Sequence, residues 1–63
     1  MHIKVWKDGN FMGYIQSVSY TKGSYKVTGS ISKAKTYRSE VSVRSDIEFC
    51  TRVSVDFPVF TYV

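Results

Sequence analysis

Four charged residues of alternating sign recur every four positions in the second half of the chain: Glu40, Arg44, Glu48 and Arg52. Residues four apart are neighbours on a helix surface, where opposite charges attract, so this spacing is typical of an α-helix. Ser39 precedes the pattern and is a favourable N-cap residue. The apolar residues fall on the other half of the helix: Val43, Ile47, Phe49, Cys50 and Val53. The sequence therefore predicts a helix from Ser39 to Arg52.

A second pattern in the same region favours a strand. Apolar residues occupy most odd positions from Val41 to Val59, and such alternation is typical of β-structure. One strand of that length would far exceed the usual length of about five or six residues. Val41 falls on the outer half of the helix and Asp46 on the inner half, which fits a helix poorly. We favour the helix and expect Asp46 to bond to the Lys33 to Arg38 segment.

The residues before the helix predict a three-stranded antiparallel meander. The first strand is His2 to Lys7, and Asp8-Gly9-Asn10 is a strong hairpin turn signal. The second strand runs from Phe11 to Tyr20, and a turn at 21–24 leads to the third. Alternation places these residues on two faces of the sheet: Met12, Tyr14, Val18 and Tyr20 on one, Phe11 and Ile15 on the other; Tyr25, Val27 and Ile31 line one face of the third strand.

Two further features refine this fold. Gly13 interrupts the second strand, which indicates a bulge or a close backbone approach. The last segment is apolar on both faces, so it is either an inner strand or an exposed edge that pairs with another chain as a homodimer: Val59, Phe60, Thr61, Tyr62 and Val63. We expect one α+β domain, residues 1–63, with the meander, one covering helix and a final strand. An all-β small sheet or barrel is the alternative.

Composition argues against an enzyme. The chain has 63 residues with one Cys and one His, too few for a common zinc site or an internal disulfide, and a domain this small offers little room for a deep pocket. We expect His2 to lie in a frayed terminus and Cys50 to pack in the core. We expect no metal, no cofactor and no membrane span, and a cytoplasmic location.

The positive charge is concentrated in one part of the chain. The net charge is +4, but residues 21–39 hold five basic residues and no acid. Clustered cations attract phosphates, and exposed aromatic rings stack on bases. The candidate binding surface is therefore this basic segment with its aromatic residue: Lys22, Lys26, Lys33, Lys35, Tyr37 and Arg38. A solvated face without any partner is the alternative interpretation.

Residues 3–52 resemble small accessory proteins of Gram-positive phages and prophages. The resemblance lies in a sheet hairpin, a Lys-Ala-Lys, aromatic, basic, Ser-Glu segment, and a helix that ends in an Asp-Ile-x-Phe-x-Thr motif. The matching residues are Lys33, Ala34, Lys35, Tyr37, Arg38, Ser39, Glu40, Asp46, Ile47, Phe49 and Thr51. The helix departs from the usual alanine-rich pattern. The resemblance implies a three-stranded sheet with one helix, an accessory role in a mobile element, and no catalytic residue.

Two functions are therefore expected. The first is a non-enzymatic protein that binds and inhibits or modulates a host protein, such as a nucleic-acid-processing or defence protein. The alternative is direct binding of nucleic acid by the basic segment 22–38.

Overall fold

The computed structural model describes residues 1–63 and contains one helix and one four-stranded sheet. In chain order the elements are β1 (Ile3–Lys7), β2 (Asn10–Ser19), β3 (Ser24–Thr28), a 3₁₀ turn (Ile31–Lys33), α1 (Glu40–Val53) and β4 (Val59–Tyr62). Every strand pair is antiparallel, and the order β3-β2-β1-β4 leaves the sheet open. The predicted α+β fold is confirmed, and the all-β alternative is wrong.

The helix begins and ends within one residue of its predicted bounds. Ser39 is the N-cap, and its hydroxyl accepts a hydrogen bond from the Ser42 backbone N–H at 3.3 Å. Of the three neighbouring pairs in the charge pattern, two form ion pairs, at 3.8 Å for Arg44–Glu40 and 3.6 Å for Arg52–Glu48. A β-branched residue is tolerated on the outer face because it meets only solvent there: Val41 is 75% exposed.

Two β-bulges set which residues of β2 face the helix. Pairing passes from Val5↔Gly13 to Trp6↔Phe11, which leaves Met12 as an extra residue. A second shift leaves Gln16 unpaired. Each extra residue resets the alternation, so the predicted faces of β2 are wrong. Phe11 and Tyr14 share the outer face, while three others lie on the helix side, followed by Tyr20 just after the strand: Met12, Ile15 and Val18.

Gly13 is required by both backbone conformation and space. Its φ is 134°, and an added Cβ would lie 2.6 Å from the Thr28 carbonyl oxygen and 2.9 Å from a Val27 methyl carbon. Only glycine adopts such a φ readily. The prediction of a bulge or a close approach is confirmed, since both occur at this point.

The core lies between the sheet and the helix. Its seven buried members are Ile3, Val5, Ile15, Tyr37, Val43, Phe49 and Cys50. Cys50 is fully buried, as predicted, and its burial raises the thiol pKa to about 11.

Two predictions are wrong, one about the N-terminus and one about the end of the third strand. His2 does not fray, because its N–H donates to the Val63 carbonyl at 2.8 Å and the Met1 ammonium donates to the Tyr37 carbonyl at 3.0 Å. The third strand ends at Thr28, and Ile31 begins the 3₁₀ turn, 54% exposed.

We predict that Gly13→Ala destabilises the fold by about 1–3 kcal/mol from backbone strain, with the clash against Thr28 adding to it. Urea denaturation measures the loss. Gly29→Ala is the matched control, because a Cβ at Gly29 meets nothing within 4 Å. An equal loss in both variants would contradict this account of Gly13.

Candidate binding surfaces

The carboxylate of Asp46 is buried at the centre of a polar cluster. Asp46 is 5% exposed and lies on the sheet side of α1. One oxygen accepts a hydrogen bond from the Tyr20 hydroxyl. The other accepts from the Tyr37 hydroxyl at 2.5 Å and from Lys35 Nζ at 2.9 Å. The predicted bond between Asp46 and the Lys33 to Arg38 segment is therefore confirmed.

These bonds fix the protonation states of the cluster. Burial acts to raise the Asp46 pKa, but the hydrogen bonds from Tyr20, Tyr37 and Lys35 outweigh burial and hold that pKa below its ordinary value. The hydrogen bond to Asp46 raises the pKa of Tyr20 to about 12. Burial and the same carboxylate raise the pKa of Tyr37 further. At neutral pH the carboxylate is charged and both phenols are protonated, so each hydrogen bond of the cluster has its donor and its acceptor in the required protonation state.

Two members of the predicted binding surface are committed to this cluster. Tyr37 is 5% exposed, so its ring cannot stack on a base. Lys35 forms an ion pair with Asp46, and its ammonium lies 4.9 Å from the centre of the Tyr37 ring. Both residues hold the segment before α1 in place, because Lys35 N–H also donates to the Ile15 carbonyl at 2.9 Å.

The structure distributes the other four predicted residues over separate places. Lys22 lies in the β2–β3 turn, Lys33 in the 3₁₀ turn, and Lys26 in β3, and all three are exposed. Arg38 is exposed and lines a cleft of about 390 Å³ above Asp46, with Val41 and Ser45 on its other side. Tyr37 is the only aromatic residue among the six, and its burial leaves this set without an exposed aromatic ring.

The chemistry of the Asp46 cleft is that of a structural site. A carboxylate with a lowered pKa is a poor proton donor, and phenols with raised pKa values are poor bases at neutral pH. No group of three or more His, Cys, Asp or Glu residues is placed to hold a metal ion.

A second cleft opens on the side of the sheet that faces the helix, away from the Asp46 cleft. It measures about 460 Å³ and lies between the strands and the α1–β4 loop, with Lys7 and Asp56 forming an ion pair of 3.1 Å at its wall. Four apolar side chains of this cleft and of the adjoining loop are exposed, and Pro58 beside them is half-buried. We call this surface the loop patch: Met12, Val27, Val55, Phe57 and Pro58. The sequence patterns did not predict this surface, although the apolar residues around Pro58 are a signal for it.

The last strand lies at an edge of the sheet. β4 pairs only with β1, and beyond it His2 and Val63 exchange both backbone hydrogen bonds. Alternation along an antiparallel pair then directs the backbone groups of Phe60 and Tyr62 away from β1. The inner-strand alternative for 59–63 is wrong. Pairing of this edge with another chain, as a homodimer, stays a prediction.

We predict that Asp46→Asn lowers the free energy of unfolding by about 1.5–3 kcal/mol, the range for hydrogen bonds to a charged group. Glu48→Gln is the matched control. It removes the same charge from an exposed helix pair worth only about 0.3–0.5 kcal/mol. Urea denaturation compares them, and equal losses would show that the buried cluster adds nothing beyond surface charge.

We predict that stability falls at both ends of the pH scale. The Asp46 pKa is lowered on folding, so its contribution is complete above its ordinary pKa of 3.8 and is lost as the pH falls below that value. The Tyr20 pKa is raised from 10.0 to about 12, so its contribution is complete below pH 10 and is lost as the pH rises toward 12.

Thermal melts across pH test both limbs. Asp46→Asn should flatten the acid limb, and Tyr20→Phe should reduce the alkaline one. An alkaline limb unchanged in Tyr20→Phe would contradict the assignment.

No protein-family model, curated protein or solved structure matches this chain. The one helix lacks the length and the apolar character needed to cross a membrane.

Proposed function

We propose that the protein is a non-enzymatic binding protein that docks on a partner protein through the loop patch. The observation that carries the proposal is the exposure of two large apolar side chains beside a cleft that is already open: Val55 is 84% exposed and Phe57 is 92% exposed. Exposed apolar side chains grouped beside an open cleft are typical of protein interaction sites.

The backbone at Phe57 supports the same proposal. Phe57 has a φ of 52°, a left-handed conformation that costs a bulky residue energy and that asparagine or glycine adopts more readily. Its exposed ring gains no burial within the fold to offset that cost. A strained and exposed phenylalanine is therefore better explained by contact with a partner than by stability of the domain.

The cleft indicates the chemistry of the partner. Its only charged residues, Lys7 and Asp56, neutralise each other at 3.1 Å. The remaining lining is largely apolar, with Val5 and Met12 on one side and Val27 on the other. Such a surface offers no net charge to a nucleic acid and suits a protein segment that inserts an apolar side chain between polar flanks.

The resemblance of residues 3–52 to phage and prophage accessory proteins supports a host protein as this partner. We propose that binding inhibits or modulates that protein, in the cytoplasm of the host cell. A nucleic-acid-processing or defence protein is the class of host protein that such accessory proteins would address.

We predict that replacing Val55 by Ser and Phe57 by Asn together abolishes capture of the host partner. The immobilised protein is incubated with nuclease-treated lysate of a Gram-positive host, and retained proteins are identified by mass spectrometry. Asparagine tolerates the left-handed φ, so the variant should be at least as stable as the natural protein in urea. Loss of capture then reports on the interface and not on unfolding.

Val41→Ser is the matched control, because Val41 is 75% exposed on the outer face of α1 and lies outside the loop patch. It should retain the partner. Loss of every partner after nuclease treatment would contradict protein binding, and unchanged capture by the double variant would contradict the loop patch.

A further inference from the structure

Four aromatic rings form a continuous row on the sheet face that points away from the helix. His2 and Tyr14 lie 6.1 Å apart between ring centres, Tyr14 and Phe11 5.3 Å, and Phe11 and Trp6 5.3 Å. We call this set the outer aromatic row. The bulge at Met12 creates it, because the extra residue brings Phe11 onto the same face as Tyr14.

The row is uncovered and held in place, with Phe11 exposed and His2, Trp6 and Tyr14 half-buried. No helix covers this face, since α1 packs on the opposite side of the sheet against Ile3, Val5 and Ile15. Phe11 is 45% exposed. Trp6 Nε1–H donates to the Thr61 hydroxyl at 2.8 Å, which fixes the indole across β1 and β4. The ring pairs meet at 63–75°, so neighbouring rings do not lie flat on one another.

The charge on this face is positive without an acid to oppose it. None of the four strands contains Asp or Glu. Lys4 pairs directly with Tyr14 across β1 and β2. Ser17 precedes Val18, which faces the core, so Ser17 and its partner Lys26 in β3 lie on the outer face. Of the acids, three belong to α1 behind the sheet, Asp56 pairs with Lys7, and Asp8 lies in the hairpin turn.

We infer that this outer face binds single-stranded nucleic acid, with bases stacked on the outer aromatic row and phosphates beside Lys4 and Lys26. Rings interspersed with cations on an open sheet are the combination that single strands require, because their bases expose faces for stacking. A duplex keeps those faces covered by its own neighbouring bases. The site lies on the opposite side of the sheet from the loop patch and shares only Lys26 with the basic segment 22–38, so it extends the proposed function to a second kind of partner.

Trp6 provides a direct readout, since it is the only tryptophan in the chain and belongs to the row. The natural protein is titrated at about 50 mM salt, where phosphate contacts are strong, with single-stranded DNA, single-stranded RNA of the same sequence, and the DNA duplex. We expect either single strand to quench the Trp6 emission in a saturable way, and the duplex to bind more weakly. Comparing DNA with RNA tells which strand the face prefers.

Two variants test the two halves of the site. Phe11→Ala removes one stacking ring and should weaken binding about 5- to 150-fold, the cost of one stacked base. Lys4→Gln with Lys26→Gln should reduce the slope of log affinity against log salt by about 1.4, the value for two phosphate contacts on a single strand. If Phe11→Ala fails to fold, the variant with Lys4→Gln and Lys26→Gln still tests the proposed site.

The matched control is Lys22→Gln with Lys33→Gln, which removes the same charge from two turns outside the strands. It should bind nearly as well as the natural protein. The inference is overturned by a titration without quenching, by a duplex that binds as tightly as the single strand, or by a control that weakens binding as much as the Lys4 and Lys26 variant. If the outer face binds a protein instead, the titration with nucleic acid will show no quenching.

Discussion

The buried carboxylate of Asp46 is the interaction on which the arrangement of this small domain depends. Its donors come from two separate parts of the chain, Tyr20 at the end of β2 and Lys35 and Tyr37 before the helix. An ionised carboxylate inside a protein is costly unless its oxygens are satisfied. Helix, sheet and connecting segment must therefore assemble together, because only the complete fold brings all three donors to the charge.

Departures from regular pairing in β2 determine which surfaces remain free. Gly13 and the two bulges let the sheet curl until Tyr25, from one edge strand, meets Phe60, from the other, at 5.7 Å between ring centres. The helix fills one end of the concave side, and the α1–β4 loop lies over the other. The curl thus leaves a cleft beneath the loop and an uncovered convex face, which are the two proposed binding surfaces.

Local patterns predicted the elements but not the faces. Glu40, Arg44 and Ser39 act within one helical turn, so their spacing was sufficient to place α1 within one residue. The prediction of the faces of β2 was wrong because a single extra residue at Met12 reverses the alternation. The close approach of Gly13 to Thr28 next to it is a contact between strands, which local spacing does not report. Tyr37 was predicted to be a surface aromatic residue because its burial also depends on long-range contacts. These are its contacts with Asp46, nine residues away in sequence, and with the sheet beneath it. The positions of Trp6, Phe11 and Tyr14 on the uncovered face can be assigned only once the register between β1 and β2 is known.

The separation of charge across the molecule favours a different partner chemistry at each of the two proposed surfaces. Acids are confined to the helix layer, the loop and one turn, whereas the strands carry only lysines. A polyanion is therefore attracted to the convex face and gains nothing at the loop patch, where Lys7 and Asp56 neutralise each other. An apolar protein segment has the opposite preference. Because the two surfaces lie on opposite sides of the sheet, binding at one does not occlude the other.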